Sequence, residues 1–168
     1  KTRLDFIVPA GTAASAAGRI LGGEIAVNRL ADFDFLLENT LRVPLKRGGQ
    51  GYTLRCPRPA VFVLHKCATF TGRDDPQKMG KDLYYAYFVM RYAPDQAGMA
   101  AELRAYSGRT VFLKAIANIK AYFMYETGRG CVMVEKENGP DAYIDDLRGD
   151  IYRRFTGILS LTGKPDDE

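Results

Sequence analysis

Apolar residues recur at helical spacing along most of the chain after residue 57, and only in short, strand-like runs before it. From Ala60 to Phe70 the repeat runs through Val61, Leu64, Cys67 and Ala68, and Pro59 fits the first turn of that helix, where its missing N–H costs nothing. Residues 71–77 form a charged bend in which Asp74 or Asp75 can cap the next helix ahead of Pro76. That helix carries Lys78, Lys81 and Asp82 in its first turns, then Leu83, Tyr84, Tyr87, Phe88 and Met90, an aromatic stripe that reads as core; Pro94 breaks it. A shorter helix follows from Asp95 to Tyr106, and a strongly periodic one from Arg109 to Tyr125, which Gly128 and Gly130 are placed to end. Cys131 to Val134 is apolar, short and β-prone. A final helix to about Leu161 keeps the period through Tyr143, Ile144, Leu147, Ile151, Phe155 and Ile158, with Asp141 or Asp145 available as its cap. Residues 163–168 read as a frayed tail.

The first third reads differently. Residues 3–8, RLDFIV, are rich in strand formers and end at Pro9, predicting a largely buried strand. Residues 10–23 are small and glycine-rich, with a spacing that fits neither of the phosphate-cradling glycine motifs. Two short apolar segments follow, at 24–30 and 33–37. A hairpin-type turn at 46–51 then leads into a short strand over 52–56, stopped by Pro57. The fold class predicted is α+β: a β-rich region over 1–57, too small to form a complete sheet alone, followed by a mainly helical domain over 58–165.

Composition narrows the functional classes. A length of 168 residues with 46% hydrophobic side chains suits a soluble globule with a sizeable core. The net charge of +4 and pI of about 9.0 favour an anionic ligand such as a nucleotide or RNA without requiring one. Cys56, Cys67 and Cys131 are odd in number and lack metal-ligand spacing, which argues against a disulfide framework or a zinc site and for a reducing, cytoplasmic setting. No apolar run approaches a membrane span and no signal peptide is evident, so no membrane partner is expected. The chain starts at Lys1 inside a strand-like run, the expectation being that it is part of something longer.

Polar residues concentrate in the stretch 56–90, where the two helices meet the charged bend. Lysines near a helix N-terminus oppose the helix dipole by about 0.3–1 kcal/mol each, so Lys78 and Lys81 suggest a role beyond helix stability. The plain alternative is a solvated face with Lys78 and Asp82 paired at i, i+4. His65 sits beside the apolar stripe and reads as a packed side chain, since a metal site needs three or four donors. Asp5 is an acid within an apolar strand: either it lies on the strand's solvated face, or it must be paired, protonated or metal-bound. Asp32-Phe33-Asp34 has the spacing of two carboxylates on one strand face, but a short helix capped by Asp32 fits the following residues at least as well.

The order of these segments resembles a family of bacterial nucleotidyltransferase-like proteins within the DNA polymerase beta-type superfamily, which also holds the nucleotidyltransferase toxins of toxin–antitoxin systems. The matching pieces are RLDFIVP at 3–9, LADFDFLLE at 30–38, PRPAVFVLHK at 57–66 and RDDPQKMGKDL at 73–83. The resemblance implies that the β region is the remnant of a nucleotidyltransferase sheet and that Asp5 is a catalytic, metal-binding carboxylate. It implies further that Lys66, Arg73, Lys78 and Lys81 face the triphosphate of an NTP, and that Asp82 holds one of these in place. Mg²⁺ would be the cofactor, and an RNA or protein hydroxyl the acceptor. Asp32 and Asp34 would be structural. The family's Gly-Ser motif and first two carboxylates belong upstream of the Asp5 strand, and two Mg²⁺ ions need several bridging carboxylates. The chain alone is therefore expected to be catalytically silent. The alternative is a non-catalytic helical module that binds RNA or a protein partner. Oligomeric state is left open.

Overall fold

A computed structural model describes residues 6–9, 11, 27–138 and 144–162. The chain divides into two compact units at the junction of Cys56 and Pro57.

In the first unit, β1 (Phe6–Pro9) and β2 (Val27–Leu30) pair in parallel, with Phe6 opposite Val27 and Pro9 opposite Leu30. Ile7 is 44% exposed, at odds with the largely buried strand expected, and among the described residues the sheet has only these two strands; the other side chains of residues 3–8 lie outside what the structure describes. The Asp32-Phe33-Asp34 segment resolves as a helix, α1 (Phe33–Glu38), which buries Leu36. Asp32 occupies its N-cap position in a left-handed conformation, φ 53°, and its side chain makes no capping hydrogen bond. A second pair, β3 (Thr40–Arg47) and β4 (Gln50–Pro57), is joined by Gly48 and Gly49 at φ 56° and 81°. Two successive positive φ values give the tight hairpin whose twist matches its strands, and glycine adopts them without a Cβ penalty. Arg55 donates to the Thr40 hydroxyl across this pair through Nη2 at 3.1 Å.

The second unit is helical: α2 (Pro59–Thr69), a 3-10 turn over Phe70–Gly72, α3 (Pro76–Tyr92), α4 (Gln96–Ala105), α5 (Thr110–Tyr122), α6 (Arg129–Glu137) and α7 (Leu147–Leu159), closed by a 3-10 turn over Ser160–Thr162. Proline opens α2 and α3, and the Asp75 carboxylate caps α3 by accepting from the Gln77 N–H at 2.9 Å. α2 packs against α3 and α5, α3 against α6, and α7 against α5 and α6. Val61, Leu64, Leu83, Phe112, Ile119, Ile151 and Phe155 are fully buried between them. Each such side chain contributes about 1.5–3 kcal/mol by leaving water. Phe123 and Phe155 stack with centroids 3.9 Å apart.

Three sequence expectations are corrected here. α5 stops at Tyr122 with Phe123 as its buried C-cap, and Gly128 and Gly130 begin α6 rather than end α5. Gly130 lies against the Phe123 ring, where a Cβ would come within 2.5 Å of Cζ, so the glycine serves close packing. Cys131 to Val134 is helical: Cys131 and Val134, three residues apart, bury on one face of α6 against α3, and packing overrides their local β preference. Asp146, in the left-handed region at φ 51°, holds the N-cap position of α7 instead of Asp145, and Asp141 lies outside the described residues.

Candidate functional site

The charged cluster forms where α2, the 3-10 turn and the start of α3 converge. Lys66 comes from the last turn of α2, Arg73 from just after the 3-10 turn, and Asp82 from the second turn of α3. The Asp82 side chain is 8% exposed, and its two oxygens are divided between the two cations. Lys66 Nζ donates to Oδ1 at 2.5 Å and Arg73 Nε to Oδ2 at 2.8 Å. Lys66 Nζ also lies 5.6 Å from the Phe62 ring centroid and 6.0 Å from that of Tyr85, so an aromatic collar shields the ammonium from solvent. The arrangement is local in origin: α2 ends at Thr69, whose hydroxyl donates to the His65 carbonyl at 2.8 Å, and the tight turn after it reverses the chain toward α3. Asn118 of α5 then donates to the free carbonyls of Cys67 at 2.9 Å and Ala68 at 3.1 Å, fixing the end of α2 next to Lys66.

Lys78 and Lys81 are exposed, and among the described residues neither makes an ion pair. They share one face of α3 with Asp82 and Tyr85, at spacings of three, four and seven residues. The simple i, i+4 pairing of Lys78 with Asp82 does not form, because Asp82 turns to Lys66 and Arg73. Lys66, Arg73, Lys78 and Lys81 thus stand against Asp82, the capping Asp75 and the exposed Asp74, a balance that stays positive by one and suits an anionic ligand. His65 is buried within α2. Cys67 is fully buried, and burial pushes its thiol up to about 12, so it is no thiolate nucleophile at neutral pH.

The aromatic face of α3 differs from expectation. Leu83, Ala86, Tyr87 and Met90 face the core, whereas Tyr85, Phe88 and Tyr92 are 42%, 48% and 57% exposed. The apolar stripe is wider than one helix face can bury, and its outer edge lies in solvent.

A second charged network escaped the sequence reading. Asp150 of α7 accepts from Tyr87 at 2.8 Å, from Arg91, and from Arg154 Nε at 3.0 Å, while Arg154 Nη1 donates to the Met90 carbonyl at 2.8 Å. Burial alone would raise the Asp150 pKa, but the hydrogen bonds from Arg154, Tyr87 and Arg91 outweigh it and hold the carboxyl below the usual range. Burial and the bond to Asp150 push the Tyr87 phenol up to about 12. This network locks the C-terminal half of α3 to α7. Arg91 and Asp150 are 59 residues apart and belong to no motif, so no local signal joins them.

Asp5 lies outside the described residues. Among the described residues no group of three or more His, Cys, Asp or Glu side chains is placed to hold a metal ion, so they do not by themselves make up a two-metal centre. A cleft of about 490 Å³ opens between α3 and α6, lined by Gln77, Gly80, Arg129, Met133 and Lys136 among others, and none of the five charged candidates from 66 to 82 lines it.

A family model described as nucleotidyltransferase matches residues 1–107. The chain belongs to that family. The nucleotidyltransferase match takes in every candidate residue, from Asp5 to Asp82, and ends just after α4, so that α5, α6 and α7 lie beyond it. Neither a curated protein nor a solved structure matches the chain. Among the described residues no helix is long and apolar enough to cross a membrane.

Proposed function

We propose that this nucleotidyltransferase-family chain takes part in moving a nucleotidyl group from an NTP to an acceptor hydroxyl, and that the cluster on α2 and α3 receives the triphosphate. The observation that carries the reading is the Lys66–Asp82–Arg73 arrangement. One shielded carboxylate is shared by two cations, which leaves the trio with a net positive charge, beside Lys78 and Lys81, which among the described residues have no counter-ion. Such a cradle neutralises the charge on the phosphoryl oxygens, and phosphoryl-type transfer depends chiefly on positioning and electrostatics of this kind. Lys66, Arg73, Lys78 and Lys81 bind; Asp82 positions and touches no substrate. Mg²⁺ is proposed to accompany the NTP, with Asp5 as one of its carboxylates and the remaining acids contributed from outside the described residues.

The test is transfer of a labelled nucleotide by the full-length protein to candidate RNA and protein acceptors. Lys66→Met and Lys81→Met are expected to raise the KM for NTP by about tenfold each, the loss of one charge-assisted contact, and Asp5→Ala to abolish transfer. Undiminished transfer with an unchanged KM in both lysine variants would remove the cluster from the triphosphate site.

A further inference from the structure

The exposed edge of α3 continues directly from the cationic cluster. Tyr85, Phe88 and Tyr92 follow Lys78 and Lys81 along one face at intervals of three or four residues, with Tyr84 beside them. Phe88 lies 4.7 Å from Tyr92 and 6.2 Å from Tyr84 between ring centroids, so the rings form one surface. Cations stand at both ends: Lys66 beside Tyr85 at 6.0 Å, and the Arg91 guanidinium over the Tyr92 ring at 5.6 Å. Of the acids near this face, Asp82 is closed off by Lys66 and Arg73, Asp75 caps α3 and Asp150 is held by Tyr87, Arg91 and Arg154, while Asp74 in the bend is exposed.

We infer that this face is a stacking platform for a single-stranded nucleic acid, the acceptor strand of the transfer proposed above. Three properties select that ligand. Rings with flanking cations suit bases joined by phosphates, since every base has a π-face and every linkage a negative charge. From Tyr85 to Tyr92 the platform runs about 10 Å along the helix, seven residues at 1.5 Å each. That is about three base steps of 3.4 Å, more than one mononucleotide covers. Finally, the platform begins beside Lys66 and Lys81, so a strand lying on it ends next to the proposed triphosphate cradle. A protein partner would also accept an apolar face, but the exposed Lys78 and Lys81, unpaired among the described residues and on the same face of α3, favour a polyanion.

The inference rests on the nucleotidyl-transfer reading for the strand's role but not for its binding, so the decisive assay contains neither NTP nor metal. The anisotropy of a fluorescent rU12 is titrated with the protein at several salt concentrations. Phe88→Ala and Tyr92→Ala are each expected to weaken binding about tenfold, and the double variant about 100-fold. Tyr92→Trp retains affinity because it retains a stacking surface. The salt dependence is shallow, with a log–log slope near −2 for about three phosphate contacts. A duplex of equal length competes at least tenfold less well. The inference is overturned if wild-type protein does not bind rU12 at low salt, if the double variant binds within twofold of wild type, or if the duplex competes equally. It is also overturned if the double variant changes only the elution volume on size exclusion, which would mark the face as a contact between copies of the chain. Because all three rings are exposed, folding of each variant is verified by its melting curve; with neither NTP nor metal in the assay, the rU12 result stands whatever the outcome of the transfer assay, so the two readings fail separately.

Discussion

Replacing Asp82 by Asn removes one negative charge while keeping the side chain's shape, and thereby exposes what holds Lys66 in place. Asp82 and Lys66 have side chains 8% and 17% exposed, so water replaces little of the lost interaction; a charge-assisted hydrogen bond in such a place is worth about 1.5–2.5 kcal/mol. Arg73, at 38% exposure, is more strongly solvated, and its share falls to about 0.5–1 kcal/mol. Together the substitution is expected to destabilise the protein by about 2–3.5 kcal/mol, a lowering of Tm by about 5–12 °C for a domain of this size. Urea unfolding followed by circular dichroism measures it. A double-mutant cycle with Lys66→Met isolates the pair and is expected to return a coupling of about 1.5–2.5 kcal/mol. In 1 M salt, where screening acts over about 3 Å, the Arg73 contribution shrinks and the Lys66 coupling persists. A loss below about 0.5 kcal/mol for Asp82→Asn, or a coupling near zero, would refute the reasoning: Lys66 would then be held by its aromatic collar alone, and Asp82 would position nothing.

Two further outcomes follow from the packing around α3. Because the folded state holds the Asp150 pKa below its ordinary value, the carboxylate's contribution is fully present above the unfolded value, about 3.9, and is lost as pH falls through the lower folded value. Asp150→Asn should therefore be about 1.5–3 kcal/mol less stable than wild type at pH 7, with the two converging in acid, as urea midpoints from pH 7 to pH 2 will show. Gly130→Ala places a methyl against the Phe123 ring and should cost about 1–3 kcal/mol by overpacking; a thermal melt unchanged from wild type would mean that the Phe123 ring yields freely.

What could be read from the sequence was what short-range chemistry encodes. The prolines at 59 and 76, the Asp75 cap and the 3.6-residue period of the helices from Pro59 to Tyr122 are local signals, and they placed α2 to α5 to within a few residues. The clustering of Lys66, Arg73 and Asp82 was legible for the same reason, since all three lie within 16 residues joined by one turn. The misreadings have a common cause. Gly128 and Gly130 look like helix terminators, but their neighbourhood is decided by the Phe123 ring. Cys131 to Val134 resembles a strand until α3 is there to receive Cys131 and Val134. Phe88 passes for core because periodicity reports spacing, not how much of the helix circumference its neighbours cover. The Asp150 network, assembled from α3 and α7, has no local trace at all.

Asn118 gives the family match an unexpected consequence. It stands 11 residues beyond the end of that match, yet its amide closes the end of the helix that carries Lys66. Asp150, farther on still, ties down the other end of the platform helix. Residues 1–107 thus mark what is shared in sequence, not what folds as a piece. A truncation at 107 would keep every candidate side chain and lose the helices that hold them in register. Drift in residues 108–168 could retune the cluster without altering any residue in it.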